Sequence, residues 1–229
     1  MRFLGLGAEQ PPQVKAHLGL RRRLKLNIPV EEALFVALDT ELTGTDLKRD
    51  SLVSIGALKM RGGSIHICQD FYRLVEPSTA LRAQSVVVHG ITHTELSKEA
   101  QDLRETLLEL LQFLDDAVLV GHFVFIDLNF LNKALKEHFG ITLRSPAIDT
   151  LSLHRWLEEN EPSFRMHWGG LYQGTDLYGM ARRYGIQVQG THNALYDAYL
   201  TAQLLQRFLP ALKEAGVLSL KELLSVGRP

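Results

Sequence analysis

Ala33-Leu34-Phe35-Val36-Ala37-Leu38-Asp39-Thr40-Glu41 is the stretch that decides the fold. Its first six residues are apolar without a break, and charge returns abruptly at Asp39. A strand covered on both faces reads this way, so the run predicts a central strand of a layered sheet. Asp39 and Glu41 stand two apart at its end, and the period-two geometry of a strand places both side chains on one face. Neighbouring carboxylates repel and raise each other's pKa, a cost that a cation between them removes. Hard oxygen ligands of this kind favour Mg²⁺ or Mn²⁺. By itself an Asp-x-Glu pair is weak evidence, because an ordinary polar strand end looks the same.

Leu52–Met60 and Ser64–Val75 are two further strand-like runs, joined by the turn signal Arg61-Gly62-Gly63. The first three strands therefore form an antiparallel meander. Helical periodicity follows: Lys98–Leu114 carries Leu103, Leu107, Leu110, Leu111 and Leu114 on one stripe. Ala117–Val120 is a short buried strand ended by Gly121, and Ile126–His138 is a helix stopped by Gly140. Ala147-Ile148 is a last short strand leading into a helix from Asp149. Asp176–Tyr184 and Ala194–Leu209 are two more helices, the second closed by Pro210, and Glu159–Gly174 reads as an irregular loop. The fold class is α/β: a mixed five-stranded sheet, its first three strands antiparallel, flanked by helices. In such sheets chemistry gathers where central strands end.

Residues 1–30 form a helical, basic appendage, with Pro11-Pro12 opening a helix, Val14, Leu18 and Leu24 near helical spacing, and a cluster of Arg21, Arg22, Arg23 and Lys25. Residues 31–210 form the main domain and 211–229 a short C-terminal helical tail. The chain of 229 residues is 45% hydrophobic and 22% charged, enough to bury a substantial core. Its formal net charge of −1 argues against a protein that coats a duplex. An enzyme that grips a chain end needs only local phosphate contacts. The single cysteine, Cys68, excludes an internal disulfide and a thiolate zinc site, and makes a reducing cytoplasm the default. It lies in the apolar run Ile65–Cys68 and reads as a small core residue. Met1–Ala8 lacks a cleavage pattern, and no stretch approaches the roughly 18–20 apolar residues needed to span a bilayer, so no membrane partner is expected.

Two later segments also place acids beyond strand ends. In Gly121-His122-Phe123-Val124-Phe125-Ile126-Asp127, Asp127 falls in the first turn of a helix, where it also complements the helix dipole. In Gly190-Thr191-His192-Asn193-Ala194-Leu195-Tyr196-Asp197, Asn193 is a good N-cap. That leaves His192 on the preceding loop and Asp197 about one turn into the helix. A free-standing histidine beside a fixed acid suits a general base next to a metal ligand. Two metals about 3.5–4 Å apart need about this many carboxylates when some bridge.

With these segments in order, the sequence resembles the DEDD exonuclease superfamily in its histidine-containing branch, and within it the proofreading epsilon subunits of bacterial DNA polymerase III. The first motif is Leu38-Asp39-Thr40-Glu41-Leu42-Thr43-Gly44. The second is Gly121-His122 with Asp127, the third His192 with Asp197. Val88-His89-Gly90-Ile91-Thr92 is an added signature, and Leu177–Ile186 resembles the helix before the third motif. The resemblance implies an RNase-H-like fold and a 3′–5′ exonuclease domain over residues 31–210 that releases nucleoside 5′-monophosphates. It implies two divalent ions, Mg²⁺ or Mn²⁺, one held by Asp39, Glu41 and Asp197 and the other by Asp39 and Asp127. His192 would take the proton from water, and Leu42 and Thr43 would rest against the terminal nucleotide. His89, and less directly Gln84, would lie beside it. The implied partners are DNA 3′ ends or RNA, and a DNA polymerase catalytic subunit. Phe123 and Ile126 depart from the second motif, which usually carries Asn and Phe there, and Gln84 stands where Glu is common.

Two other readings compete. Asp39-Thr40-Glu41-Leu42-Thr43 faintly resembles the nucleophile loop of haloacid-dehalogenase-type phosphatases, but Glu41 stands where those have Asp. A non-catalytic end-binding or polymerase accessory subunit is the other. It has no need to crowd four carboxylates near a phosphate backbone.

Overall fold

The computed structural model describes residues 9–168, 174–190 and 192–229. Met1–Ala8, part of the expected loop Glu159–Gly174, and Thr191 lie outside the described residues. The chain opens with helices α1 (Pro12–Leu18) and α2 (Leu20–Arg23), then β1 (Leu34–Leu42), β2 (Leu52–Arg61) and β3 (Ser64–Leu74). Helices α3 (Ala83–His89), α4 (His93–Glu99) and α5 (Leu103–Leu114) lead to β4 (Val118–Gly121), α6 (Phe125–Phe139) and β5 (Ala147–Asp149). Helices α7 (Thr150–Asn160), α8 (Pro162–Trp168), α9 (Leu177–Arg183), α10 (Ala194–Glu214) and α11 (Leu220–Val226) complete it. The five strands form one sheet in the order β3-β2-β1-β4-β5. β1–β2 and β2–β3 pair antiparallel, β1–β4 and β4–β5 parallel. This is the expected mixed sheet with its antiparallel edge.

Both faces of the sheet are covered, which is why β1 is apolar without alternation. Phe35 and Ala37 belong to the layer under α7, α9 and α10, with Leu153, Met180, Leu204 and Phe208. Val36 and Leu38 belong to the layer under α5 and α6, with Leu107, Leu110, Leu131 and Leu135. Val14 of α1 is fully buried in that second layer. Arg23 of the basic cluster pairs with Asp116 at 2.6 Å. Val217 and Leu220 join the first layer.

Five expectations need correction. The helix over Lys98–Leu114 is two helices, because Gln101 donates its N–H to Leu74 at 2.8 Å beside β3 and Asp102 then caps a new start. Pro210 lies inside α10 instead of closing it. Leu212, one turn's reach beyond, is buried in the core and keeps the helix running. The loop over Glu159–Gly174 contains α8, with Phe164 buried against His154 and Tyr184. Cys68 is exposed, since β3 is the sheet's outermost strand and most of its residues meet solvent. Leu18, read at core spacing, is 42% exposed, because α1 ends there and Leu20 takes the buried position.

Candidate active site

The crevice follows from unequal strand lengths. β1 pairs with β4 only over Phe35–Ala37, against Val118–Val120, so Asp39 to Glu41 run on past the parallel neighbour. Alternation along β1 then decides what each residue meets. Continuing the period from Phe35 and Ala37, Asp39 and Glu41 face α10, and Thr40 faces α6. Asp197 lies in the first turn of α10 and Asp127 in the first turn of α6. Thr40 Oγ1 donates to Asp127 Oδ1 at 2.6 Å, so Asp127 reaches the site from the opposite face of the strand.

The close approach of α10 depends on Gly56, which pairs with Asp39 across the β1–β2 ladder. A Cβ there would stand 2.1 Å from the Ala194 carbonyl carbon and 2.2 Å from the Leu195 nitrogen. Asn193 caps α10 by accepting from the Tyr196 N–H. His192 precedes the cap with a left-handed φ of +59°.

Glu41, Asp127 and Asp197 are all buried, and Asp39 is half-buried among them. Burial, then the charges of Asp197 and Asp127, pushes Glu41 up to about 8. Burial pushes Asp127 up to about 7 against the opposing hydrogen bond from Thr40. Asp39 is raised far above the carboxylate range by burial and then by Asp127, Asp197 and Glu41. Asp197 is raised by burial, which Tyr178 and His192 oppose. Asp127 and Asp197 raise both Asp39 and Glu41, and a cluster of acids held in this way suits cations. Two observations fit a metal there. Asp197 Oδ1 is buried without a hydrogen-bond partner, a costly state for a carboxylate oxygen. One ligand atom each from Glu41, His192 and Asp197 lies within 4.8 Å of the others.

A cleft of about 470 Å³ adjoins Glu41 and is lined by all four expected substrate residues, Leu42, Thr43, Gln84 and His89. His89 is 7% exposed, and its pKa is lowered by burial and by His192. Its Nδ1 accepts from the Ile91 N–H at 3.0 Å. The neutral ring therefore carries its proton on Nε2, which is buried and has no partner.

Several residues of the site escaped the sequence reading. Arg82 is the one cation among the described residues lining the cleft. It is held by Asp50 at 2.9 Å, and that buried carboxylate also accepts from Thr43 Oγ1 at 3.2 Å. Tyr178 bonds to Asp197 and to the His192 backbone. Asp149, buried, accepts from the Val124 N–H at 2.8 Å and from Leu151 at 2.9 Å, tying the loop before α6 to the start of α7. Asp149 and Tyr178 had a local signal, since both sit at expected helix starts. Arg82 had none. His122 of the second motif faces away: its ring nitrogens bond Thr150 Oγ1 and the Thr175 carbonyl, each at 2.8 Å.

A strand-end carboxylate cluster on a mixed α/β sheet defines a hydrolase-like class, and comparison specifies it. The family model described as Exonuclease (RNase_T) matches residues 36–205, and the chain belongs to that family, as the DEDD resemblance implied. It is 32% identical to the DNA polymerase III PolC-type protein of Thermotoga maritima over 84% of this chain but 13% of that one. It is 30% identical to the DNA polymerase III subunit epsilon of Aquifex aeolicus, over 83% of this chain and 88% of that one. The chain thus spans a small part of the PolC-type relatives and most of the epsilon one. Among solved structures it resembles E. coli Exonuclease I in complex with a dT13 oligonucleotide, with a TM-score of 0.68 at 15% identity. That match covers 80% of this chain and 42% of that one. Exonuclease X in complex with 5′ overhanging duplex DNA matches at a TM-score of 0.55 and 21% identity, covering 80% of this chain and 93% of that one. These likenesses place the sheet and its helices in the RNase-H-like exonuclease fold. No helix among the described residues is long and apolar enough to cross a membrane.

Proposed function

We propose that the protein is a metal-dependent 3′–5′ exonuclease that hydrolyses phosphodiester bonds at single-stranded or frayed DNA 3′ ends and releases nucleoside 5′-monophosphates. The convergence of Asp39, Glu41, Asp127 and Asp197 beside a nucleotide-sized cleft carries this reading. In it, Asp39, Glu41 and Asp197 hold one divalent ion and Asp39 and Asp127 the other, Mg²⁺ or Mn²⁺. When bound, such ions acidify the attacking water and offset charge on the leaving 3′ oxygen. His192 accepts the proton of that water: its ring nitrogen faces Glu41 and Asp197 from just outside α10. Leu42 and Thr43 rest against the terminal nucleotide. His89 and Gln84 line the same cleft beside it, and Arg82 offsets phosphate charge there. None of these contacts reads a base edge in a fixed pattern, so cleavage is independent of sequence.

The epsilon and PolC-type relatives support service beside a DNA polymerase catalytic subunit, in proofreading or repair. The test is digestion of 5′-labelled single-stranded DNA, mismatched duplex and RNA, with Mg²⁺, Mn²⁺ or EDTA. A metal-dependent ladder shortening from the 3′ end, with mononucleotide product, is expected. Faster loss of RNA would reassign the substrate, and binding without cleavage would leave an end-binding subunit.

A further inference from the structure

Tyr178 stands one residue inside α9, and its hydroxyl lies between two groups of the site. It donates to Asp197 Oδ2 at 2.7 Å and accepts from the backbone N–H of His192 at 2.6 Å. The direction of both bonds is forced. An amide N–H can only donate, so the single phenol proton goes to the carboxylate. The Tyr178 ring also meets the His192 imidazole edge-on, with centroids 5.2 Å apart and planes at 87°. The tyrosine itself is well held. Asp176 caps α9 through the Gly179 N–H, and Met180 and Ala181 are buried beneath it against α10.

Two consequences follow from that bridge. On Asp197, Oδ2 takes the phenol proton while Oδ1 is buried and partnerless, so the bridge fixes how the carboxylate is turned and leaves Oδ1 without a hydrogen bond. At His192, a φ of +59° lies in the left-handed region that L side chains adopt infrequently and that contacts with the surroundings stabilise. Among the described residues, the hydroxyl bond to its N–H and the edge-on ring are contacts that bear on it. We propose that Tyr178 is a positioning residue whose single hydroxyl orients the Asp197 carboxylate, with Oδ1 left for a cation, and holds the backbone of His192 in its left-handed conformation. Ligand geometry and proton acceptor are thereby set together. The inference rests on the nuclease reading above, in which Asp197 is a ligand and His192 the proton acceptor.

Tyr178→Phe removes one oxygen and keeps the ring, so Asp197 Oδ2 and the His192 N–H lose their bond to it while the packing of α9 is preserved. Three measurements on the full chain test the proposal. In digestion of single-stranded DNA, kcat falls at least tenfold while KM stays within about twofold, the pattern of a lost transition-state arrangement. In metal-free protein, the His192 amide exchanges hydrogen at least tenfold faster, while amides deeper in α10 such as Leu204 do not change. In calorimetry without substrate, Mn²⁺ binds at least threefold more weakly. Wild-type kcat, wild-type Mn²⁺ affinity or unaltered His192 exchange overturns the proposal. So does a uniform rise in exchange along α9 and α10, which marks loosened packing. If the wild-type chain releases no nucleotides, the nuclease reading fails instead, and the amide-exchange and Mn²⁺ arms still report on the bridge.

Discussion

Glutamine in place of Glu41 makes the metal-free protein more stable while removing its nuclease activity. Burial and neighbouring acids raise the Glu41 carboxyl from an ordinary 4.5 to about 8. The folded state thus keeps a proton that the unfolded chain releases. For an acid shifted upward, folding stability is greatest below the unfolded pKa, falls as pH rises toward about 8, and levels off above it. At pH 7 the interval from 4.5 spans about 2.5 units, or about 3 kcal/mol of unfavourable linkage. Part of the shift is repulsion from Asp197 and Asp127, which relaxes as those acids take up protons, so about 1–3 kcal/mol is the expected gain for Glu41→Gln. In a chain of this size that is a rise of roughly 2–10 °C in Tm. The assay is calorimetry in EDTA at pH 7 and pH 5. The gain shrinks below about 1 kcal/mol at pH 5, where the wild-type carboxyl is close to its unfolded pKa. Saturating Mn²⁺ reverses the order, because it binds the folded wild type more tightly than the variant. A lower metal-free Tm for Glu41→Gln at pH 7, or a gain that ignores pH, would refute the electrostatic account of the site.

His192→Ala lowers kcat by roughly 10²–10⁴-fold with Mn²⁺ affinity retained, checked by single-turnover digestion and calorimetry; loss of Mn²⁺ binding would make His192 a ligand. Arg82→Gln flattens the salt dependence of single-stranded DNA affinity by about 0.7 in log–log slope, measured by anisotropy in an inactive Glu41→Gln background. An unchanged slope removes Arg82 from the phosphate path. Gly56→Ala costs more than about 3 kcal/mol in urea denaturation, because the added carbon meets the backbone of α10 and a flexible side chain is not there to yield. Near-wild-type stability would mean that α10 approaches the sheet less closely.

Local patterns carried much of the fold. The unbroken apolar run ending at Asp39 marked β1 as central, and Gly62-Gly63 marked the hairpin. Asn193 marked the start of α10 and so placed His192 outside it and Asp197 within. Each is a signal of a few residues, because alternation, turn chemistry and capping act within one strand or one helical turn. Where the reading missed, a competitor lay far away in sequence. The helical stripe over Lys98–Leu114 could not register that Gln101 bonds to Leu74. Cys68 looked like core because the sequence does not say which strand is outermost.

By itself the sequence determined that two acids share one face of a buried strand's end and that two more acids and a histidine stand at helix starts. The tertiary structure alone decided that these meet: Gly56 lets α10 touch the sheet, Thr40 draws Asp127 over the strand, and Asp50 holds Arg82 at the cleft. The same holds for the Tyr178 hydroxyl between Asp197 and His192. The physical reason is range. Backbone geometry sets the direction of a side chain within a few residues, whereas burial, repulsion and hydrogen bonding between distant segments exist only once the layers have packed.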